Sequence, residues 1–149
     1  MSAPIVQSHS LILPTYHPLG TEVEDIDDLV THVSSEFYCA DIQEKKAQIV
    51  AIENVTAGVP GNLRWWVELS PVPSTVSTAY WAAIGGGGGA LAPLTPNIIV
   101  GTGVQATTHT DLLAWTIHSE FARLVVQTPV AAAVATAIWQ LQLILSGKT

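Results

Sequence analysis

Trp139-Gln140-Leu141-Gln142-Leu143-Ile144-Leu145 is the stretch on which the reading of the fold turns. It lies within residues 124–147, a run without a single charged side chain. About 20 apolar residues span a bilayer as a helix, so the run is long enough to cross one. Its periodicity argues otherwise. Trp139, Leu141, Leu143 and Leu145 fall on one side of an extended chain, and Gln140, Gln142 and Ile144 fall on the other. That is the two-residue period of a half-buried strand. Pro129 and Gln127 interrupt the run further upstream, and Arg123 and Lys148 are its only flanking cations. The segment is therefore expected in a sheet, not in a membrane.

Strand patterns recur on the N-terminal side of this one. Ala47–Val55 is rich in β-branched residues and runs into Thr56-Ala57-Gly58-Val59-Pro60-Gly61-Asn62, which has the glycine and proline of a turn. Leu63–Ser70 places Trp65, Val67 and Leu69 on one face and Arg64, Trp66 and Glu68 on the other. With Ser10–Pro14, Ser74–Ile84, Asn97–Val104, Leu112–Ile117, Phe121–Thr128 and Ala137–Ser146, the chain offers eight candidate strands. Short strands separated by turn signals indicate a sandwich or a barrel.

One helix is expected, near residues 22–37. Ile26, Leu29, Val30, Val33 and Phe37 recur at helical spacing, and Thr21-Glu22-Val23-Glu24 before them matches a capping box. Acids in the first turn would favour the positive end of the helix dipole. The alanine-rich residues 131–137 fit a hairpin connection or a second helix equally well. The fold class is thus mainly β: an antiparallel, jelly-roll-like β-sandwich with one helix, an N-terminal arm at 1–20 and a single domain at 21–149.

Composition narrows the function. The chain has 149 residues, 48% hydrophobic and only 11% charged, against roughly 25% charged in an ordinary globular domain. Eight of its 12 acids fall between Glu22 and Glu44, so the remaining body is nearly uncharged. A surface so poor in charge is prone to association, and protein neighbours are the expected cover for it. Five Lys and Arg against 12 acids, a net charge of −7, leave no cationic cluster for phosphate, so nucleic acid is not expected as a partner. Glu22–Asp28 lacks the alternating ligands and turn glycine of a calcium loop.

Catalytic and cofactor patterns are sparse. His109, Asp111, His118, Ser119 and Glu120 lie close in sequence, with His109 and Asp111 on one strand face, but no nucleophile-elbow pattern accompanies them and two ligands do not complete a metal site. The run Gly85–Gly89 lacks the spacing of a nucleotide fingerprint and reads as a loop. Cys39, the one cysteine, has no sequence support as a nucleophile and reads as a small buried hydrophobe. No catalytic residue, cofactor or metal is expected, and the protein is not read as an enzyme. Trp65 and Trp66 are adjacent and must point to opposite faces, so Trp65, Trp66, Trp81 and Trp115 are the candidate interface residues, as interfaces enrich tryptophan.

The stretch Trp66-Val67-Glu68-Leu69-Ser70-Pro71, then Ala79-Tyr80-Trp81, the glycine run, residues His118–Pro129, Trp139 and Ser146-Gly147-Lys148 together resemble small β-sandwich proteins of tailed-phage virions. The resemblance spans residues 63–149 and is one of texture, so it transfers no site residue. It implies a capsid decoration protein located in the virion: a homo-oligomer, preferably a trimer, bound to a major capsid or other virion protein. Strand edges and the arm at Ser2–Pro14 would add main-chain pairing to neighbours. The alternative is an extracellular carbohydrate-binding module that uses Trp66 and Trp81.

Overall fold

The computed structural model describes residues 8–12, 31–88, 93, 95–128 and 137–148. The strands are β1 (Ser8–Ile12), β2 (Thr31–Val33), β3 (Phe37–Tyr38), β4 (Glu44–Val55), β5 (Leu63–Ser70), β6 (Ala82–Ala83), β7 (Asn97–Ile99), β8 (Thr108–Trp115), β9 (Phe121–Gln127) and β10 (Ala137–Lys148). All pair antiparallel, in two sheets. Sheet A has the order β1-β10-β4-β8; sheet B has the order β2-β9-β5-β6, with β3 also on β9 and β7 also on β5.

Alternation explains where the core sits. Along β4 the odd positions Lys45, Ala47, Ile49, Ala51, Glu53 and Val55 are buried and the even ones are not. The register sets Trp139 beside Glu53 and Leu141 beside Ala51, so β10 turns the same face inward. Sheet B supplies Leu63, Trp65 and Val67 from β5 and Ala122, Leu124 and Val126 from β9 to the same apolar cluster. Buried Trp N–H groups need acceptors, and two of them tie the layers. Trp65 Nε1 donates to Asp111 Oδ2 on sheet A at 2.9 Å, and Trp139 Nε1 donates to the Gly61 carbonyl at 3.0 Å.

The helix expected near residues 22–37 is not seen. Residues 22–30, with the capping box at Thr21–Glu24, lie outside the described residues. Thr31–Val33 and Phe37–Tyr38, its second half, are strands that pair with β9 at Gln127–Val125 and Ala122–Phe121. Between them Ser34 keeps the ladder closed: its N–H donates to Leu124 O, and its hydroxyl accepts from Leu124 N, both at 2.8 Å. Pairing across some 90 residues overrides the local helical spacing.

Ser74–Ile84 is likewise mostly turn. Val76 and Ser77 N–H both bond back to Pro73 O, Ser74 is anchored on the Glu36 carboxylate, and only Ala82–Ala83 joins β5. Within the arm expected at 1–20, Ser8–Ile12 pairs with β10 of its own chain. The alanine-rich segment up to residue 136 lies outside the described residues.

Candidate interaction surface

The β4–β5 and β7–β8 loops meet at one end of the sheets. Gly101 and Gly103 permit that approach: a Cβ on Gly101 would lie 2.5 Å from Pro60 O, and one on Gly103 would lie 2.8 Å from Val59 Cγ2. Gly103 also has φ +78°, a left-handed conformation suited to glycine. Where the loops meet, Val59, Ile98, Val100 and Val104 are all more than half exposed. No Asp, Glu, Lys or Arg occurs between Leu69 and Thr110. Neither loop carries a charged residue, so the tip is apolar apart from the half-buried Arg64, which stands across from Ile98 in the β5–β7 ladder.

A buried carboxylate gives the tip its shape. Glu53 is fully buried at the end of β4 and accepts hydrogen bonds from Thr102 Oγ1 (2.8 Å), Gly103 N (3.0 Å), Val104 N (3.2 Å) and Thr102 N. His109 Nε2 lies 3.1 Å from its Oε1, and the His109 ring meets Trp139 edge-on at 5.5 Å. Burial pushes the Glu53 carboxyl up, but the Thr102 N–H and hydroxyl, His109 and the Val104 N–H outweigh it. The group is held below the ordinary carboxylate value. The loop is thereby fastened from inside, and its valines face out. Glu53 carried no recognised role in the sequence; the available signal was Gly101-Thr102-Gly103, whose backbone N–H groups suit an anion.

The outer face of sheet B holds a second buried carboxylate. Glu68 is fully buried and paired with Arg123, its cross-strand neighbour, at 2.7 and 2.8 Å. Trp66 Nε1 donates to Glu68 at 3.2 Å, and the Trp81 ring lies 4.2 Å from the Arg123 guanidinium. Trp66, Ala83 and Val125 form a small apolar cluster beside the pair. The chain itself thus covers all four candidate interface tryptophans: Trp65, Trp66, Trp81 and Trp115 are each no more than 6% exposed. Trp65 and Trp66 do point to opposite faces, but both faces are covered.

The residues considered for catalysis do not converge. The Ser119 hydroxyl lies 2.9 Å from Ser70 O and 2.8 Å from Phe121 O, acceptors that tie down the β8–β9 loop. His118 is exposed and Glu120 half-buried, 3.8 Å apart, while His109 and Asp111 are engaged with Glu53 and Trp65. Burial pushes the Cys39 thiol up, with Lys45 opposing and Glu120 adding to the rise. Such a thiol is a poor nucleophile. No group of three potential metal ligands occurs among the described residues. No helix among them is long and apolar enough to cross a membrane.

No protein-family model matches the chain, and no curated protein matches it. Among solved structures it is similar to dimeric latent PorU from Porphyromonas gingivalis, at 9% identity and a TM-score of 0.49. That match covers 96% of this chain but 12% of PorU, so the chain spans only a small part of that protein's length. It is also similar to PirA, at 12% identity and a TM-score of 0.37, over 100% of this chain and 97% of PirA.

Proposed function

We propose that this protein is a structural, non-catalytic subunit that stabilises a virion shell as a capsid decoration protein, assembling as a homo-oligomer on its neighbours. The fold that fits this role is a β-sandwich of jelly-roll type. Its two sheets share one core, and from β7 to β10 the chain alternates strictly between them. The reading rests on one observation: a preformed tip of exposed Val59, Ile98, Val100 and Val104 on and beside two loops that carry no charged residue. Contiguous exposed apolar surface marks protein contacts, and a loop fastened in advance loses little freedom when it docks. A trimer is the preferred closed form. The carbohydrate-binding alternative gains nothing from Trp66 or Trp81, since neither ring is displayed.

Light scattering coupled to size exclusion tests the proposal. The wild-type chain should elute as one closed oligomer at micromolar concentration, and Val59→Asp with Val104→Asp should release monomers of unchanged circular dichroism. A wild-type chain that stays monomeric, alone and with purified shells, would overturn it.

A further inference from the structure

Lys45 occupies an unusual place for a cation. It lies on the inner face of β4 and is only 2% exposed, in a chain with five Lys and Arg in all. Its Nζ donates to Ile42 O at 2.9 Å and Gln43 O at 3.4 Å, which uses two of its three N–H groups. Among the described residues no carboxylate forms an ion pair with it, whereas the half-buried Arg123 rests on Glu68. Taking an ammonium out of water without a counter-charge is strongly unfavourable.

Two further observations belong to the same end of the core. Lys45 lines a cavity of about 360 Å³ between the β3–β4 turn and the β8–β9 loop, with Ile42, Gln43, Thr116 and His118 among its walls. Directly across from Lys45 in the β4–β8 register stands Trp115, whose buried indole N–H has no acceptor in the described structure. Lys45 thus brings to the cavity wall a charged donor with one N–H to spare and no ion-pair partner among the described residues.

We propose that this cavity is a carboxylate-binding site and that its ligand is a small organic acid whose carboxylate neutralises Lys45. One lysine is a point charge suited to a monoanion. The site has no arginine fork of the kind that favours phosphate, and Glu44 at its wall disfavours a dianion. The volume lies within the range of small-molecule pockets, about 300–1,000 Å³. The same carboxylate chemistry is available from an acidic side chain on a peptide, and the experiment separates the two sources.

The test uses the full chain labelled with ¹⁵N-lysine, the Lys45 side-chain signal being assigned from Lys45→Arg. Sodium acetate and a capped Gly-Asp-Gly peptide are titrated separately, with sodium chloride and inorganic phosphate at matched ionic strength as controls. A saturable shift of the Lys45 signal is expected with acetate, weaker with the peptide and absent with chloride or phosphate. The melting temperature should rise by about 3 °C at tenfold excess over the dissociation constant. Lys45→Met should abolish both responses. No saturable Lys45 shift at tens of millimolar acetate, a millimolar-affinity limit, would overturn the proposal, as would an equal thermal response in Lys45→Met. If Lys45→Met does not fold, the wild-type titration alone decides. A response to the peptide but not to acetate would overturn the small-acid assignment.

Discussion

Glu53 and Glu68 are both fully buried carboxylates on central strands, yet the chain satisfies them in opposite ways. Glu68 meets a cation: Arg123 lies across from it in the ladder, Trp66 adds an N–H, and Trp81 covers the guanidinium. Glu53 meets no permanent cation but a row of backbone N–H groups at 102–104, a hydroxyl and His109. The first arrangement closes a sheet face against solvent. The second bends a loop outward and displays it. A chain with few charges thus buries two of its acids, one to hold a cover in place and one to shape a contact surface.

Removing Arg123 should separate the two arrangements most sharply. Arg123→Met leaves Glu68 buried without its counter-charge, and breaking a buried pair from one side costs about 3–5 kcal/mol. Glu68→Leu combined with Arg123→Met removes both charges and should recover most of that loss, because the neighbouring Trp66 and Val125 are apolar. Urea unfolding of the single and double variants measures both values. Equal destabilisation in the two would show that the pair itself, and not its imbalance, holds the cover.

The two sites were unequally legible in the sequence, for a physical reason. Alternation of side chains is a local property, so Leu63–Ser70 and the Trp139 strand were identifiable from residues alone, as was the shared face of His109 and Asp111. Alternation gives a strand two faces but does not say whether the second is covered. The sequence therefore places Trp66 opposite Trp65 without showing that a second cluster buries it. The helical spacing of Ile26 to Phe37 failed where a distant strand offered Thr31–Val33 a ladder. Glu53 was invisible as a site because its partners lie about 50 residues away, joined only by the sheet.

Glu53→Gln should have the next largest effect, about 2 kcal/mol, since bonds to a charged acceptor are worth about 1.5–3 kcal/mol. Its signature should be local. Amide exchange at 102–104 should accelerate, while the β5–β9 ladder keeps its protection, the reverse of Arg123→Met. Acid should act in the same direction. The folded-state pKa of Glu53 is lowered, so its contribution is complete above the ordinary carboxylate value near 4.5 and is lost as pH falls through the folded value. Urea midpoints measured from neutral pH downward should therefore fall less steeply below that value in Glu53→Gln than in wild type. Parallel profiles would show that another carboxyl carries the acid sensitivity.

Trp81→Phe should change least, because two terms oppose each other. The indole gives Arg123 a better cation–π partner than phenyl, worth about 0.5–1 kcal/mol at this 4.2 Å distance. The same indole buries an N–H with no acceptor in the described structure, and an unmet buried donor costs about 1–3 kcal/mol. Phenylalanine weakens the first, buries less apolar area than indole and is relieved of the second, so the opposing terms should leave a net shift within about 1 kcal/mol of zero. Melting of Trp81→Phe and of the double variant Trp81→Phe, Arg123→Met resolves the two terms. If the substitution costs less in the Arg123→Met background than in wild type, the ring acts on the guanidinium. Equal costs would assign Trp81 to apolar packing alone, and the cover over Glu68 would then owe its electrostatics to Arg123 and Trp66.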